Sequence, residues 1–171
     1  AAGNDPWKLL DFVRLEAVRR ELDVYALPVG DSQLKGGQAA FDSQAGIILY
    51  EDAGSEFDRA FLIAHELGHV VLEGGTQDAV TEDVEPDRSV EDAPVGIEKV
   101  LDYGARERRE VRMDLFAREF LLPRSLVRHL HLQDGCSSTD IAARLGAPLQ
   151  VVQQQLLDAL LLPDERSVDS A

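Results

Sequence analysis

Two histidines four residues apart are the pair in this sequence best suited to chemistry. Residues 65–69 read His-Glu-Leu-Gly-His, an H-E-x-x-H pattern that takes up two of the four histidines in the chain. On a helix, side chains at i and i+4 project from the same face, so both imidazoles can reach one metal ion. Glu66 can then stand beside a water molecule that the metal activates. The pattern predicts a metal site suited to hydrolytic chemistry.

A third metal ligand would have to come from another element, since a catalytic zinc usually has three protein ligands and an open position. A predicted helix later in the chain carries several carboxylates. Glu110 heads a narrow face of that helix, which continues through positions 114, 117 and 121. This geometry favours Glu110 and leaves the other carboxylates open. The acidic candidates on this helix are Glu107, Glu110, Asp114 and Glu119.

Both segments that carry these residues are predicted helices with clear ends. Ser55 and Asp58 have the spacing of a capping box at the start of the first helix, and Gly74 is a strong terminator. The second helix is predicted over residues 105–122, because Pro123 disfavours helical backbone at the residue before it. The candidate metal ligands therefore lie inside regular elements.

The rest of the chain predicts a mostly helical α+β fold. A helix is expected over residues 6–22, with Asp5 as its cap. Short runs between residues 24 and 50 are rich in β-branched and aromatic residues and broken by Gly, Asp and Ser, which predicts a small antiparallel sheet. Further helices are expected over 125–131, over 141–146 with a cap at 138–140, and over 148–162.

Residues 76–98 differ in character, because acidic residues dominate and large apolar residues are few. This composition predicts a mobile, solvated loop. Two alternatives stay open: a flap over a nearby site, or an acidic surface for a basic partner.

Charge and composition exclude several classes of protein. The chain has 17 basic and 32 acidic residues, a formal net charge of −15, which argues against direct binding to nucleic acid or to an anionic membrane. No apolar run approaches the roughly 20 residues of a membrane span, and no signal peptide is recognisable, so we expect a cytoplasmic protein.

Cys136, the single cysteine, can form neither an internal disulfide nor a cysteine zinc cluster. A start without Met is compatible with a removed tag or with a piece of a longer polypeptide.

Other candidate features carry weaker signals. The helix pair over 139–160 has the spacing of a helix-turn-helix, but its second helix has no Lys or Arg, so we interpret it as packing or a protein-docking surface. His129 and His131 diverge on a helix and do not suggest a joint metal site. Tyr50 and Tyr103 are possible oxyanion donors, with core packing an equal alternative.

Two motifs together resemble the ImmA/IrrE family of small bacterial metallopeptidases. Residues 64–69, Ala-His-Glu-Leu-Gly-His, match the H-E-x-x-H helix of that family. Residues 110–123, Glu-Val-Arg-Met-Asp-Leu-Phe-Ala-Arg-Glu-Phe-Leu-Leu-Pro, match its later helix, E-x-x-x-N-x-F-A-x-x-x-L-(L/M)-P. The resemblance covers approximately residues 8–130.

The resemblance implies a site with three ligands and one base. In such a site His65, His69 and Glu110 bind zinc, with manganese as the alternative metal for this ligand set, and Glu66 is the general base. The chain departs from the pattern at Asp114, where the family commonly has Asn. A carboxylate at that position can instead orient a ligating histidine.

The expected architecture is an α+β, mostly helical, zincin-like metallopeptidase domain with a small antiparallel β-sheet over residues 5–132. It contains the acidic loop, 76–98. A C-terminal helical subdomain resembling a helix-turn-helix follows over 133–162, and residues 163–171 form a polar tail.

The function implied is that of a zinc-dependent endopeptidase. Its substrate would be a specific protein, a helix-turn-helix transcriptional repressor, whose cleavage controls gene expression under stress. The alternative is a non-catalytic, metal-containing sensor or interaction domain of a larger multidomain protein. The presence of Glu66 favours the enzyme, because a structural metal site does not need a general base.

Overall fold

The computed structural model describes residues 6–89 and 104–162 of the chain. These residues form six α-helices and one four-stranded sheet, which confirms the α+β class. The helices are α1 (Leu9–Val18), α2 (Glu56–Glu73), α3 (Ala105–Leu121), α4 (Arg124–Leu132), α5 (Ser138–Leu145) and α6 (Leu149–Leu161). The strands are β1 (Asp23–Leu27), β2 (Ala39–Asp42), β3 (Ile47–Glu51) and β4 (Ala79–Thr81), and a 3₁₀ turn covers Ser32–Leu34.

The sheet has the strand order β1-β3-β2-β4. β2 and β3 form an antiparallel hairpin whose turn is fixed by Asp42, because its Oδ1 accepts from the backbone N–H groups of Gln44 at 3.0 Å and Ala45 at 2.9 Å. β4 pairs antiparallel with β2 at one end of the strand order. The hairpin thus brings β4 to the side of the sheet away from β1.

One strand pair corrects the prediction of an antiparallel sheet. β1 runs parallel to β3, with Tyr25 opposite Leu49, so the sheet is mixed. The hairpin between β2 and β3 is encoded by a local turn, whereas β1 pairs with β3, a strand from which β2 separates it in the sequence. No short-range turn signal reports such a pairing.

Helix α2 lies at the centre of the fold and contacts α1, α3 and the strands β2, β3 and β4. Ser55 and Asp58 form the predicted capping box at its start, and Gly74 ends it in a left-handed conformation. Between these ends, Phe57 and residues 60–69 are buried. A helix that is buried on nearly all sides holds its polar side chains away from water, which sets the electrostatics of the site described below.

The C-terminal helices share the same hydrophobic core. Val127, Ile141 and Val152 belong to one cluster of buried residues with the side chains of α1 and α2. A division into domains after residue 132 stays a prediction. Residues 163–171 lie outside the described residues.

Two local features differ from the sequence-based expectation. α1 begins at Leu9, because the backbone of Lys8 is not helical, with φ −88° and ψ 72°. The backbone N–H of Trp7 donates to the carbonyl of Arg144 at 2.9 Å, and Asp5 lies outside the described residues. The cap of α5 is Ser137, one residue earlier than expected.

The acidic segment 76–98 is not a loop throughout. Residues 79–81 form β4. The side chains of Ala79 and Thr81 are buried and that of Val80 is half-buried, and this alternation is typical of a strand. Residues 90–98 lie outside the described residues.

Within the described ranges, no helix combines the length and the apolar composition needed to cross a membrane.

Candidate metal centre

Gly68 allows α2 and α3 to approach each other at the centre of the H-E-x-x-H segment. A Cβ atom at this position would lie 2.8 Å from Sδ of Met113 and 3.0 Å from Cδ1 of Phe116. Both distances are shorter than normal contacts, so a larger residue would push α3 outward. The absence of a side chain therefore brings α3, with Glu110, over the histidines.

The structure brings His65, His69 and Glu110 together. One ligand atom from each residue lies within 4.8 Å of the ligand atoms of the other two. Nε2 of His65 is 3.0 Å from Oε2 of Glu110, and Nε2 of His69 is 4.0 Å from Oε1 of the same carboxylate. Both histidines are buried, and the Glu110 side chain is 20% exposed. This is a set of two imidazoles and one carboxylate with an opening to solvent on the Glu110 side.

The Nδ1 atom of each histidine contacts a carboxylate. Nδ1 of His65 lies 3.0 Å from Oδ1 of Asp114, and Nδ1 of His69 lies 3.1 Å from Oε2 of Glu73. A neutral imidazole that donates through Nδ1 has its lone pair on Nε2, so both lone pairs would face the shared centre once His65 has lost its extra proton. The carboxylate of Asp114 therefore orients the ring of His65.

The carboxylate of Glu73 is also anchored on α3. Arg109 donates through Nε to both oxygens, at 2.7 and 2.8 Å, and this contact lowers the pKa of Glu73 to about 2. Sequence reasoning missed both residues. Glu73 follows His69 by four positions on the same helix, which is a signal that could have found it. Arg109 has no such signal, because its partner lies on a distant segment.

Glu66 is fully buried beside the two histidines. Its Oε1 accepts a hydrogen bond of 2.6 Å from the hydroxyl of Thr81 on β4. Burial raises the pKa of Glu66 to about 7, against the opposing effects of the His65 charge and the Thr81 hydroxyl. A carboxylate with a pKa near 7 can both take up and release a proton at neutral pH.

The pKa values of the two histidines shift in opposite directions. Burial lowers the pKa of His65, but hydrogen bonds with Asp114 and Glu110 outweigh it and raise the pKa to about 9. Burial also lowers the pKa of His69, and the hydrogen bond to Glu73 offsets only part of that effect. Without a metal, His65 therefore carries the proton of the cluster.

Two buried polar atoms test whether a metal fits these residues. Oε2 of Glu66 and Nε2 of His69 have no hydrogen-bond partner among the described residues, although both are shielded from solvent. Such orphaned atoms are rare in folded proteins and indicate a missing ion or water. His-His-Glu is also a donor set that catalytic zinc accepts. The residues present therefore fit a metal ion.

A cleft of about 660 Å³ opens beside Glu110. One side is formed by residues 82–89, which we call the wall segment, and the other by the start of α3. Most of the lining side chains are charged, and acidic ones outnumber basic ones. The lining residues are Glu82, Asp83, Glu85, Arg88, Arg106, Glu107, Glu110 and Val111.

The remaining sequence candidates that the structure describes do not line this cleft. Tyr50 is buried in the core, and its hydroxyl accepts from Arg14. Tyr103 lies outside the described residues. His129 is exposed, His131 is engaged by the carbonyl of Cys136, and Cys136 is free of disulfides. None of these described side chains lines the cleft.

The His-His-Glu cluster and the family comparison together indicate a metallopeptidase-like domain. Residues 19–93 match the family model of the IrrE N-terminal-like domain, Peptidase M78, which confirms the resemblance to the ImmA/IrrE family. The matched range includes the H-E-x-x-H helix and ends before Glu110. A comparison with curated proteins gives no match.

Proposed function

We propose that this chain is a zinc-dependent endopeptidase in which His65, His69 and Glu110 hold the metal and Glu66 is the general base. The observation that carries the proposal is the pair of buried, unpartnered atoms, Oε2 of Glu66 and Nε2 of His69. A purely structural site has no use for a buried carboxylate with a free oxygen beside the ligands. Manganese is the alternative metal.

When bound, the metal polarises a water molecule and the scissile carbonyl. The chain supplies the proton transfers. Glu66 takes a proton from the attacking water on Oε2, while Thr81 holds Oε1 in place, and then passes that proton to the leaving amine. Asp114 and Glu73 keep the two imidazoles in their ligating orientation.

The proposed substrate is a protein segment that enters the open cleft, specifically one from a helix-turn-helix transcriptional repressor, so that cleavage changes gene expression under stress. This assignment rests on the family resemblance. A repressor of this kind acts in the cytoplasm, which is where the proposal puts the reaction. Direct nucleic-acid binding is not part of the proposal, because the net charge is −15.

Replacement of Glu66 by Gln tests the catalytic role. We expect Glu66→Gln to keep its zinc and to lose at least about a hundredfold in cleavage rate, since a general base contributes roughly 10²–10⁴. The readout is cleavage of a peptide library and of co-expressed repressor candidates, followed by mass spectrometry. Glu56→Gln makes the same change at an exposed position of α2 and is the matched control. Equal cleavage by both variants would remove Glu66 from the reaction, and no cleavage by the zinc-loaded parent chain would favour the sensor or interaction domain.

Metal content tests the ligand set. Elemental analysis of the parent chain should give about one zinc per chain, sharply reduced in Glu110→Ala. Glu82→Ala removes a carboxylate from the same cleft and should retain the metal. Full metal in Glu110→Ala would move the third ligand to another residue.

A further inference from the structure

Arg118 is a buried arginine that joins three elements of the fold. It lies on α3, and its side chain is 2% exposed. Nε donates to Oε1 of Gln155 at 2.7 Å, and Nη2 donates to Oδ2 of Asp158 at 2.6 Å, both on α6. Nη1 donates to the backbone carbonyls of Pro86, at 3.2 Å, and Arg88. Arg118 therefore ties α6 to the wall segment.

These contacts use the particular shape of a guanidinium group. A buried charge is costly unless it is paired and its donors are satisfied. Asp158 supplies the opposite charge, and Gln155 and two carbonyls take further donors. A lysine ammonium is a compact point charge and could not span the same partners. The position of the wall segment thus depends on a side chain that α6 holds in place.

The wall segment in turn contacts the residue that orients His65. Nε of Arg88 donates to Oδ2 of Asp114 at 3.0 Å, and the backbone N–H of Glu85 approaches the same oxygen at 3.3 Å. The other oxygen of Asp114 holds Nδ1 of His65 at 3.0 Å. A continuous series of hydrogen bonds, most of them charge-assisted, therefore runs from α6 to a candidate metal ligand.

Arg88 contacts the carboxylate at the position where the chain departs from the family pattern. Asp114 stands where an Asn is common, and its side chain is 1% exposed. A carboxylate this deeply buried needs a cation in contact with it. His65 would be neutral with a metal bound, and Arg88, whose side chain is 15% exposed, is then the cation that contacts Asp114. An uncharged Asn would not need it.

We propose that Arg118 and Arg88 are positioning residues that make metal binding at His65 depend on the position of α6 in the fold. Asp158 and Gln155 hold Arg118, Arg118 holds the backbone of the wall segment, and the wall segment holds Arg88 against Asp114. The C-terminal helix pair thereby acts on the metal site without touching it. The inference rests on the ligand role of His65 in the proposed function.

The inner step is tested by zinc affinity in a double-mutant cycle, measured by competition with a chromophoric chelator. Arg88→Gln should weaken zinc binding about tenfold, the lower end of the 10–100-fold range for partners that orient ligands. In an Asp114→Asn background, the same substitution should change affinity by less than about threefold, because the amide has no charge to neutralise. Equal effects of Arg88→Gln in both backgrounds, or no effect in either, would overturn the inference.

The outer step is tested by Arg118→Lys, with Arg124→Lys as its control. Arg124 pairs with Glu119 next to α6, and no contact of its side chain with the wall segment is seen in the described residues. We expect Arg118→Lys to speed amide hydrogen exchange over residues 82–89 and to weaken zinc binding several-fold, and Arg124→Lys to do neither. A lower melting temperature for Arg118→Lys with unchanged exchange and zinc affinity would show that Arg118 only fastens α6.

Failure of this inference and failure of the proposed function give different results. A parent chain that binds no zinc overturns both. A parent chain that binds zinc, with an affinity that responds to neither Arg88→Gln nor Arg118→Lys, overturns only the positioning role.

Discussion

The residues that orient the histidines matter as much as the candidate ligands themselves. Each imidazole is held at Nδ1 by a carboxylate, Glu73 or Asp114, and each of these carboxylates contacts an arginine. The arginines come from α3 and from the wall segment. The carboxylates that orient the two rings are therefore anchored by arginines from parts of the chain distant from the H-E-x-x-H helix.

Replacement of Glu73 by Gln should weaken zinc binding by about tenfold or more, because the amide is a poorer acceptor for Nδ1–H of His69 and for Arg109. Chelator competition measures the change. Glu56→Gln, on the same helix, is the control and should bind zinc like the parent. An unchanged affinity in Glu73→Gln would show that burial alone orients His69.

Zinc affinity should rise with pH through the neutral range. The pKa of His65 is raised to about 9 in the metal-free chain, so below pH 9 the metal must displace its proton. The apparent affinity should then grow by about tenfold per pH unit, a slope of one proton. Chelator competition at several pH values measures the slope, and a flat profile from pH 6.5 to 9 would contradict it.

The same raised pKa has a consequence for the stability of the metal-free fold. A histidine whose folded pKa exceeds its unfolded value of 6.5 stabilises the fold fully below pH 6.5. We expect that contribution to disappear as the pH rises through 9. Zinc-loaded chains should not show this loss, because the metal replaces the proton.

At the scale of elements, the close packing of α3 on α2 builds the site. Gly68→Ala places a methyl group 2.8 Å from Met113 and 3.0 Å from Phe116. Overpacking costs about 1–3 kcal/mol, and higher helix propensity offsets about 1 kcal/mol of this. We therefore expect modest destabilisation with clearly weaker zinc binding, since α3 carries Glu110.

Thermal denaturation and chelator competition measure the two effects of Gly68→Ala. Gly104→Ala is the matched control, because a Cβ there meets nothing closer than Oε2 of Glu107 at 3.7 Å. Zinc affinity equal to that of the parent in Gly68→Ala would show that α3 keeps its place.

The sequence predicts the elements that carry local signals. The caps and periodicity of α2 and the proline after α3 define those helices, and the fixed spacing of His65 and His69 follows from the helix itself. Contacts between distant segments leave no such trace. Neither the parallel direction of β1 nor the pairing of Glu73 with Arg109 can be read from nearby residues. β4 was missed because acidic composition outweighed a three-residue alternation.

At the scale of the molecule, negative charge predominates around the cleft. The chain carries a net charge of −15, and the two basic residues of the cleft lining, Arg88 and Arg106, are paired with carboxylates. The field at the cleft is therefore negative, which raises the encounter rate with cationic substrates. A basic segment of a repressor would meet this condition.

Cleavage should accordingly depend on salt for basic substrates only. We expect kcat/KM for a Lys/Arg-rich peptide to fall several-fold between about 0.02 and 0.2 M salt, as screening shortens the range of the field. A neutral peptide of the same length is the control and should show little change. Equal salt responses of the two peptides would contradict electrostatic attraction at the cleft.

Glu66 is held by a different part of the fold from the candidate metal ligands. Its Oε1 accepts from Thr81, the last residue of β4, whereas the His-His-Glu cluster lies between α2 and α3. β4 has three residues and pairs with β2 at one end of the sheet. Metal loading and turnover can therefore fail separately, because loss of the Thr81 hydrogen bond alone would leave the His-His-Glu cluster in place while Glu66 loses its orientation. Metal content would then overstate the active fraction of a preparation.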